Sequence, residues 1–428
     1  MLGFVGGLAF IVVAGVAGQV VGRSARVPSI IVLLLLGILV GPVTGWLDPD
    51  AVLGSRLYPL VSMAVGLLLF EESLKLDLTR LRGGARRPVL ALVTVGALIT
   101  ALTATLAAHW LLGLPIGRAG VIGAILIVSG PTVVGPLLAL IRPKQPLESV
   151  LAFEGIFIDP IGATAALAVT NMVLHGEPVR LGVTGLTGVG VGLVGAVVFV
   201  LVVRWRRIDP ATHVAIALAV ALAVYAVAEA LHDEAGLFAT TALGVAVANQ
   251  TVVRIDAVHE FGSHIGLVLI GALFIVLAAR VDLHALARYA LPTLALVAVL
   301  VLVIRPLAAA AATARSVLDR NERAMVAAMA PRGIVAASTA SVFALRFEDA
   351  GTPFPQLVPV VFGVVLATAV VYGVAGPLVA RRLGVRTSEP VRLDDDGVPV
   401  VVTELAAALD GREPPPSSRP SPPGTRHP

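Results

Sequence analysis

Residues 127–138 read IVSGPTVVGPLL and residues 329–338 read MAPRGIVAAS, and both stretches interrupt apolar runs long enough to cross a bilayer. Each contains small residues around a proline, Pro131 in the first and Pro331, followed by Gly333, in the second. Because proline removes a helical N–H and clashes with the preceding turn, both helices are predicted to break at these points. The two prolines lie 200 residues apart, which indicates an internal repeat.

Thirteen apolar runs, bounded by charges, prolines and glycines, are long enough to be transmembrane helices. They cover residues 3–21, 28–46, 57–75, 88–112, 118–140, 147–174, 181–203, 211–231, 236–250, 262–280, 287–312, 322–345 and 355–380. Each break falls in the fifth helix of a six-helix unit, and the seventh helix connects the two units. Six helices and one connector reverse the direction in which the chain enters the membrane, so the second unit is inverted. The predicted fold is therefore an all-α polytopic membrane protein made of two inverted six-helix repeats.

The composition and the charge pattern also indicate a membrane protein. Hydrophobic residues make up 57% of the 428 residues and charged residues 14%, whereas a soluble domain carries roughly a quarter charged residues, which excludes a soluble globular protein. The chain has no cysteine, which excludes disulfides and thiolate metal sites. The basic residues form short clusters between apolar runs, which is typical of membrane topology and not of a nucleic-acid partner.

The distribution of lysine and arginine predicts the orientation. Eighteen of these residues lie in the odd-numbered loops and six in the even-numbered loops, so the positive-inside rule places the odd loops in the cytoplasm. The N-terminus is predicted to lie outside and the C-terminus inside a cell inner (plasma) membrane. Residues 384–428 contain an acidic run and a Pro/Ser-rich end, and are predicted to be a disordered cytoplasmic tail.

Two carboxylates lie deep in the sixth span, within the stretch FEGIFIDPIGA at 153–163. A charge in the hydrocarbon costs about 3 kcal/mol on insertion scales, so each carboxylate needs a partner or a function. Glu154 and Asp159 are roughly 140° apart on a helix, which indicates different roles. Arg332 lies in the second break, and we predict a structural ion pair between Arg332 and Glu154. Asp159 is then left without a fixed partner.

Asp159 is the predicted transport site. Burial disfavours a carboxylate anion, so this group can bind a proton or a small cation, but not both. The hydroxyls and freed carbonyls of Ser129, Gly130 and Thr132 would supply further oxygen ligands for a monovalent cation. Mutual exclusion at one carboxylate, in a site that can face either side of the membrane, is sufficient for obligatory exchange of a cation against a proton. We expect no cofactor and no enzymatic activity.

Three further ionisable residues of the apolar runs are interpreted as accessory. Glu71 and Glu72 lie one turn from Lys75 and are interpreted as charges at an interfacial helix end; the alternative is that one of them faces a cavity. Arg305 directly precedes Pro306 and is interpreted as extending towards the cytoplasm or neutralising a carbonyl end of a helix.

The stretches at 127–138, 153–163 and 329–338 together resemble the monovalent cation:proton antiporters of the sodium/proton exchanger superfamily, in particular its bacterial NhaP-like branch. The resemblance covers residues 1 to about 383. It implies that the two broken helices cross each other, as in the antiporter fold, and that the protein is a homodimer.

The resemblance also implies a division of the helices into two bodies. Spans in residues about 1–76 and 211–280 would form the dimer interface, and spans in residues about 88–174 and 287–382 would form a moving core. The glycine-rich seventh span, about 181–203, would be the helix that links them.

The chain departs from the family pattern at three positions. The family's Thr-Asp-Pro aligns with Ser129-Gly130-Pro131, so the family's second carboxylate is missing. Gly155 replaces a hydroxyl ligand, and Ile158 replaces the asparagine that precedes the key aspartate. The loss of oxygen ligands favours a weaker and less selective site, and a single exchanging carboxylate implies electroneutral exchange of one cation per proton.

The expected function is therefore exchange of a monovalent cation, with Na⁺ as the first choice, for protons across a lipid membrane. A potassium/proton antiporter is the nearest alternative. A sodium-coupled carrier of the same fold would keep a pocket for an organic anion, and an ion channel would have no need of a carboxylate for which protons compete.

Overall fold

Helices make up the regular structure in the computed structural model, which describes residues 3–24, 29–79, 81–176, 181–206 and 210–386. The predicted tail from residue 387 onward lies outside these described residues, as do the side chains of Pro131 and Thr132.

The first half of the chain contains eight main helices. These are α1 (Phe4–Ser24), α2 (Ser29–Val43), α3 (Leu57–Leu74), α4 (Arg86–Leu112), α5 (Ile116–Ile125), α6 (Pro131–Ile141), α7 (Leu147–His175) and α8 (Leu181–Arg206). A short helix, Pro49–Leu53, precedes α3.

The second half adds seven main helices. These are α9 (Pro210–Leu231), α10 (Ala235–Asn249), α11 (Asp256–Ala279), α12 (Ala290–Thr313), α13 (Arg320–Ala327), α14 (Ile334–Asp349) and α15 (Leu357–Leu383). A short helix, Leu283–Arg288, precedes α12. Within the described residues, nine helices are long and apolar enough to cross a membrane, and α2, α5 and α10 are shorter apolar helices. The all-helical membrane fold is confirmed, while the count of thirteen crossings stays a prediction.

Both predicted helix breaks are present. The backbone leaves the helix after α5 and re-enters it at Pro131, and the intervening Gly130 is extended, with φ −62° and ψ 126°. The second break separates α13 from α14, and Gly333 there is also extended. Pro131 begins the second half of the first broken helix, where a missing N–H costs nothing because the first turn has no helical acceptor for it. Pro331 lies in the non-helical segment between α13 and α14.

The internal repeat is also visible in local helix geometry that the apolar pattern does not predict. A π-helical turn interrupts α4 at Leu92–Gly96, and another interrupts α12 at Leu300–Ile304. The two turns begin 208 residues apart, which matches the offset between the first and eighth predicted spans. Such turns occur mostly as single insertions in α-helices and often near functional sites. Equivalent positions of the two units therefore carry the same distortion.

The glycine-rich helix α8 packs closely on α10. A Cβ on Gly188 would lie 2.5 Å from the carbonyl oxygen of Ala235, and a Cβ on Gly192 would collide with the carbonyl oxygen of Ala239. The two helix backbones approach each other this closely only because glycine occupies both positions. By contrast, a Cβ on Gly190 would meet nothing within 4 Å.

This packing predicts different stabilities for two neighbouring glycine substitutions. Gly192→Ala should lower the thermal midpoint of the detergent-solubilised protein, because overpacking a tight contact costs about 1–3 kcal/mol. The control Gly190→Ala makes the same chemical change on an open face and should leave the midpoint unchanged or slightly raised. Equal midpoints for the two variants would contradict the close approach of α8 and α10.

Candidate functional site

The middle of α7 lies directly against the first helix break. A Cβ on Gly162 would lie 2.5 Å from Cγ2 of Val128, so glycine allows the α7 backbone to approach the break. Asp159 is three residues before Gly162 and therefore lies on the same face of α7. Asp159 is fully buried, and Ser129 of the break is buried as well.

The carboxylate of Asp159 is not hydrogen-bonded. Neither of its oxygens has a hydrogen-bond partner among the described residues. The charges of Arg332 and Glu72 lie near enough to interact with it, but among the described residues the guanidinium of Arg332 donates to backbone carbonyls and not to Asp159. Because a buried anion without a partner is strongly unfavourable, a proton or a bound cation is needed to complete this group.

The predicted ion pair of Glu154 with Arg332 was wrong, because Glu154 pairs with Arg305. Nη2 of Arg305 donates to Oε2 of Glu154 at 2.8 Å, and Nη1 donates to Oε1. Nε of Arg305 donates to the carbonyl oxygen of Val326 at 2.9 Å, near the end of α13. Both charged side chains are buried, and the planar guanidinium satisfies the two carboxylate oxygens at once. Arg305 therefore neutralises a carbonyl end, as one interpretation predicted, and does not extend to the cytoplasm.

Arg332 binds the first break instead. Its Nη1 donates to the carbonyl oxygens of Val128 at 3.0 Å and Ile127 at 3.3 Å, which follow the last turn of α5. Its backbone N–H donates to Oγ1 of Thr368 on α15 at 3.2 Å. A guanidinium at the C-terminal end of a helix is favourable because the unpaired carbonyls there carry a partial negative charge. The arginine of the second break thus neutralises the helix end of the first.

The other predicted cation ligands differ in availability. The carbonyl oxygen of Gly130 accepts hydrogen bonds from the backbone amides of Val133 and Val134, each at 3.0 Å, and so belongs to the first turn of α6. One further carbonyl that could bind a cation was not predicted from the sequence. Pro160 has no N–H, so the carbonyl of Ile156 cannot receive its usual helical hydrogen bond. Ile156 lies on the same side of α7 as Asp159. Pro160, which follows the aspartate in the sequence, indicates that this carbonyl lacks its helical donor.

The acidic pair at the end of α3 is buried, unlike a pair at an interfacial helix end. Glu71 and Glu72 are 5% and 9% exposed, and Nζ of Lys75 lies 2.6 Å from Oε1 of the first and 3.0 Å from Oε1 of the second. Glu71 also lines a small cavity, which was the alternative interpretation. Lys75 can compensate only one of the two carboxylates when both are ionised.

A second charged cluster lies at the opposite end of α10, around the α9–α10 connection. Nη2 of Arg346 on α14 lies 3.0 Å from Oδ2 of Asp233. The carboxylate of Glu229 accepts hydrogen bonds from the backbone amides of Glu234 and Gly236. Burial and the neighbouring Glu229 carboxylate raise the pKa of Glu234 to about 7, and the charge of Arg346 opposes this shift.

The Glu154–Arg305 geometry predicts a large effect on stability. Glu154→Ala should lower the free energy of unfolding by about 3–5 kcal/mol, because the arginine is left as an uncompensated buried charge. The double variant Glu154→Leu with Arg305→Met should recover much of this loss, since it removes both charges. As a control, Asp50→Ala breaks the half-exposed Asp50–Arg280 pair and should cost about 1 kcal/mol or less. Chemical denaturation in detergent measures all three. A small loss for Glu154→Ala would contradict the buried pair.

Known proteins are similar to this chain in sequence and in fold. The curated K(+)/H(+) antiporter NhaP of Alkalimonas amylolytica is 26% identical over 304 residues, which are 67% of this chain and 51% of that protein, so the chain spans about half the length of this relative. The solved sodium proton antiporter MjNhaP1 of Methanocaldococcus jannaschii at pH 8 is 19% identical, with a TM-score of 0.78 over 89% of this chain and 98% of that chain. An electron-microscopy structure of the same protein is 21% identical, with a TM-score of 0.76 over 90% and 99%. The family profile described as "Sodium/hydrogen exchanger, transmembrane" matches residues 8–382, and the chain therefore belongs to this family.

Proposed function

We propose that the chain exchanges a monovalent cation for protons across the membrane, with Asp159 as the shared binding site. The observation that carries the proposal is the buried Asp159 carboxylate, whose two oxygens have no hydrogen-bond partner within the described residues, beside the first helix break. The nearby Glu154–Arg305 and Arg332 groups are engaged with each other or with backbone carbonyls.

The proposed chemistry follows from the carboxylate of Asp159, which has no hydrogen-bond partner within the described residues. A proton neutralises the carboxylate by a covalent bond, and a singly charged cation neutralises it by coordination, so the two exclude each other. The hydroxyl of Ser129 and the freed carbonyl of Ile156 are hard oxygen ligands of the kind that alkali cations prefer. Thr132 remains a proposed ligand, and Gly130 can contribute only a carbonyl already used in α6. Each exchange moves one cation against one proton and is electroneutral.

Na⁺ is the first choice of cation and K⁺ the alternative. MjNhaP1, which shares the fold, is named a sodium proton antiporter, whereas the curated relative is named a K(+)/H(+) antiporter. The position of the family's second carboxylate is occupied by Gly130, which leaves fewer charged ligands and favours a less selective site. We further propose a homodimer in the plasma membrane, with its N-terminus outside, its C-terminus in the cytoplasm and lipid around its helices.

Alternating access requires two bodies that move against each other. We propose that helices in residues about 88–174 and 287–382 form the moving core, that helices in residues about 1–76 and 211–280 form the dimer interface, and that α8 links them. The ion pair of Asp233 with Arg346 then crosses from the interface to the core on the outer side and holds that side closed.

Replacing the carboxylate of Asp159 should abolish exchange. Asp159→Asn keeps the size of the side chain but can bind neither a titrating proton nor a cation, so proton flux should fall to the level of protein-free vesicles. The measurement is a pH-sensitive dye inside proteoliposomes, with Na⁺, Li⁺ and K⁺ pulses added separately. A potassium clamp with valinomycin distinguishes electroneutral exchange, which it leaves unchanged, from a channel current.

The matched control is Asp282→Asn, which makes the same change at an exposed helix cap and should leave the flux unchanged. Cation-driven proton flux at the normal rate in folded Asp159→Asn protein would overturn the proposed site.

Breaking the Asp233–Arg346 contact should make the ion site more accessible from that side. Because the wild-type chain has no cysteine, a single cysteine at Ser129 can report access through its labelling by a membrane-impermeant thiol reagent. Arg346→Ala should raise the labelling rate up to about fivefold, which corresponds to about 1 kcal/mol for a partly exposed ion pair. Glu234 faces Arg346 and is ionised above about pH 7, so the increase should be larger at pH 8 than at pH 6.

Arg118→Ala is the matched control for this experiment. Arg118 donates to the carbonyl of Thr352 and lies over the ring of Phe354, so its contacts remain within the proposed core. An equal increase in labelling for both variants would show that Arg346 does not act as a contact between the two bodies.

A further inference from the structure

A cavity of about 700 Å³ lies between the glycine-rich helix α8, the middle of α7 and the length of α10. Its volume is within the range of protein sites that hold small molecules. Fifteen of the described residues line the cavity, and twelve of these are apolar. The helix α8 packs tightly on α10 through Gly188 and Gly192, so the empty space lies between α8 and α7.

The three polar residues that line the cavity already have their hydrogen bonds elsewhere. The hydroxyl of Thr241 donates to the carbonyl of Leu237. The side-chain amide of Asn249 donates to two backbone carbonyls and accepts from the amide of Leu78. The side chain of Gln250 donates to one backbone carbonyl and accepts from two amides. Among the described residues that line the cavity, the side-chain N–H and O–H donors are therefore already used, which disfavours a polar ligand, and an apolar lining favours an apolar occupant over water.

The cavity opens onto the surface that a membrane-embedded chain presents to lipid. Leu90, Val189 and Leu193 line the cavity and are 51%, 39% and 49% exposed, and Leu186 and Val194 of α8, which do not line it, are exposed as well. The wall of the cavity is thus continuous with the apolar outer surface of α4 and α8. In a bilayer the molecules next to this opening are the acyl chains of lipids.

The length of the cavity is similar to the hydrocarbon thickness of one bilayer leaflet. Its lining along α10 extends from Phe238 to Asn249, which is about 17 Å at 1.5 Å per residue. Half of the hydrocarbon thickness of a bilayer is about 15 Å. The end near Leu78 and Gln250 lies at the loop ends of α3 and α10, where a chain entering from that leaflet would begin.

The cavity is separate from the proposed ion site. Phe157 and Ile161 line it, and each is two residues from Asp159, which places them about 160° around α7 from the carboxylate. A molecule in the cavity therefore lies behind α7 with respect to the ion.

We propose that this cavity binds one acyl chain of a membrane lipid. The chain fills the space between α8 and α7 that no side chain occupies, and it supplies dispersion contacts to both helices. Its binding does not depend on the proposed exchange activity, because it follows from the shape and the chemistry of the cavity alone.

Brominated lipids test this proposal, because bromine quenches indole fluorescence only near contact. In a background in which Trp46, Trp110 and Trp205 are replaced by Phe, the reporter Phe157→Trp lines the cavity. In vesicles of phosphatidylcholine brominated at the middle of the acyl chain it should lose more than half of its emission relative to unbrominated vesicles. The control Phe362→Trp on α15, which is 3% exposed and is not among the residues that line the cavity, should retain most of its emission.

A second reporter, Ile161→Trp, serves if the first variant does not fold, and should be quenched to the same degree. Adding Ala246→Phe to either reporter fills the cavity and should restore most of the emission. Equal quenching of cavity and control reporters, or quenching that Ala246→Phe does not change, would overturn the proposal. Strong quenching of Phe157→Trp by aqueous acrylamide in place of brominated lipid would show a water-filled cavity and would overturn it too.

Discussion

The structure depends on how buried charge is compensated in a medium of low dielectric constant. Glu154 and Arg305 neutralise each other through a two-point contact, and Arg332 neutralises backbone carbonyls of the opposite break. These groups have no capacity left for a mobile ion. Asp159 lies beside them with both oxygens free within the described residues. In the proposed exchange, Asp159 is therefore the carboxyl group that binds the proton or the cation, because Glu154 beside it is held by its fixed partner Arg305.

The helix breaks could be predicted because their cause is local. Pro131 and Pro331 act on the turn in which they stand, and the offset between them is readable without any tertiary contact. The partner of Glu154 could not be predicted in this way. Both Arg305 and Arg332 are more than a hundred residues away, and chain separation says nothing about which guanidinium reaches the carboxylate. The choice depends on the tertiary arrangement that brings the side chain of Arg305 on α12 to Glu154 on α7, which a pattern of apolar residues does not contain.

The burial of Glu71 could likewise not be predicted from the pattern of apolar residues, because that pattern shows only where a hydrophobic run ends. Its environment is set by α11, where a Cβ at Gly266 would lie 2.9 Å from the carboxylate, so the acid lies in a groove made by a distant glycine. The π-helical turns at Leu92–Gly96 and Leu300–Ile304 show the opposite case. They lie at equivalent positions of the repeat, yet their two sequences, LVTVG and LVLVI, are ordinary apolar helix sequences and do not predict them.

The hydrogen bonds from Arg332 to Val128 and Ile127 have a mechanical consequence. They connect a residue of the second broken helix to the helix end of the first, at the point where each helix has lost its own backbone hydrogen bonds. A separate movement of either broken helix would leave the buried guanidinium without its carbonyl acceptors. In the proposed movement of the core, the two broken helices therefore move together as one body.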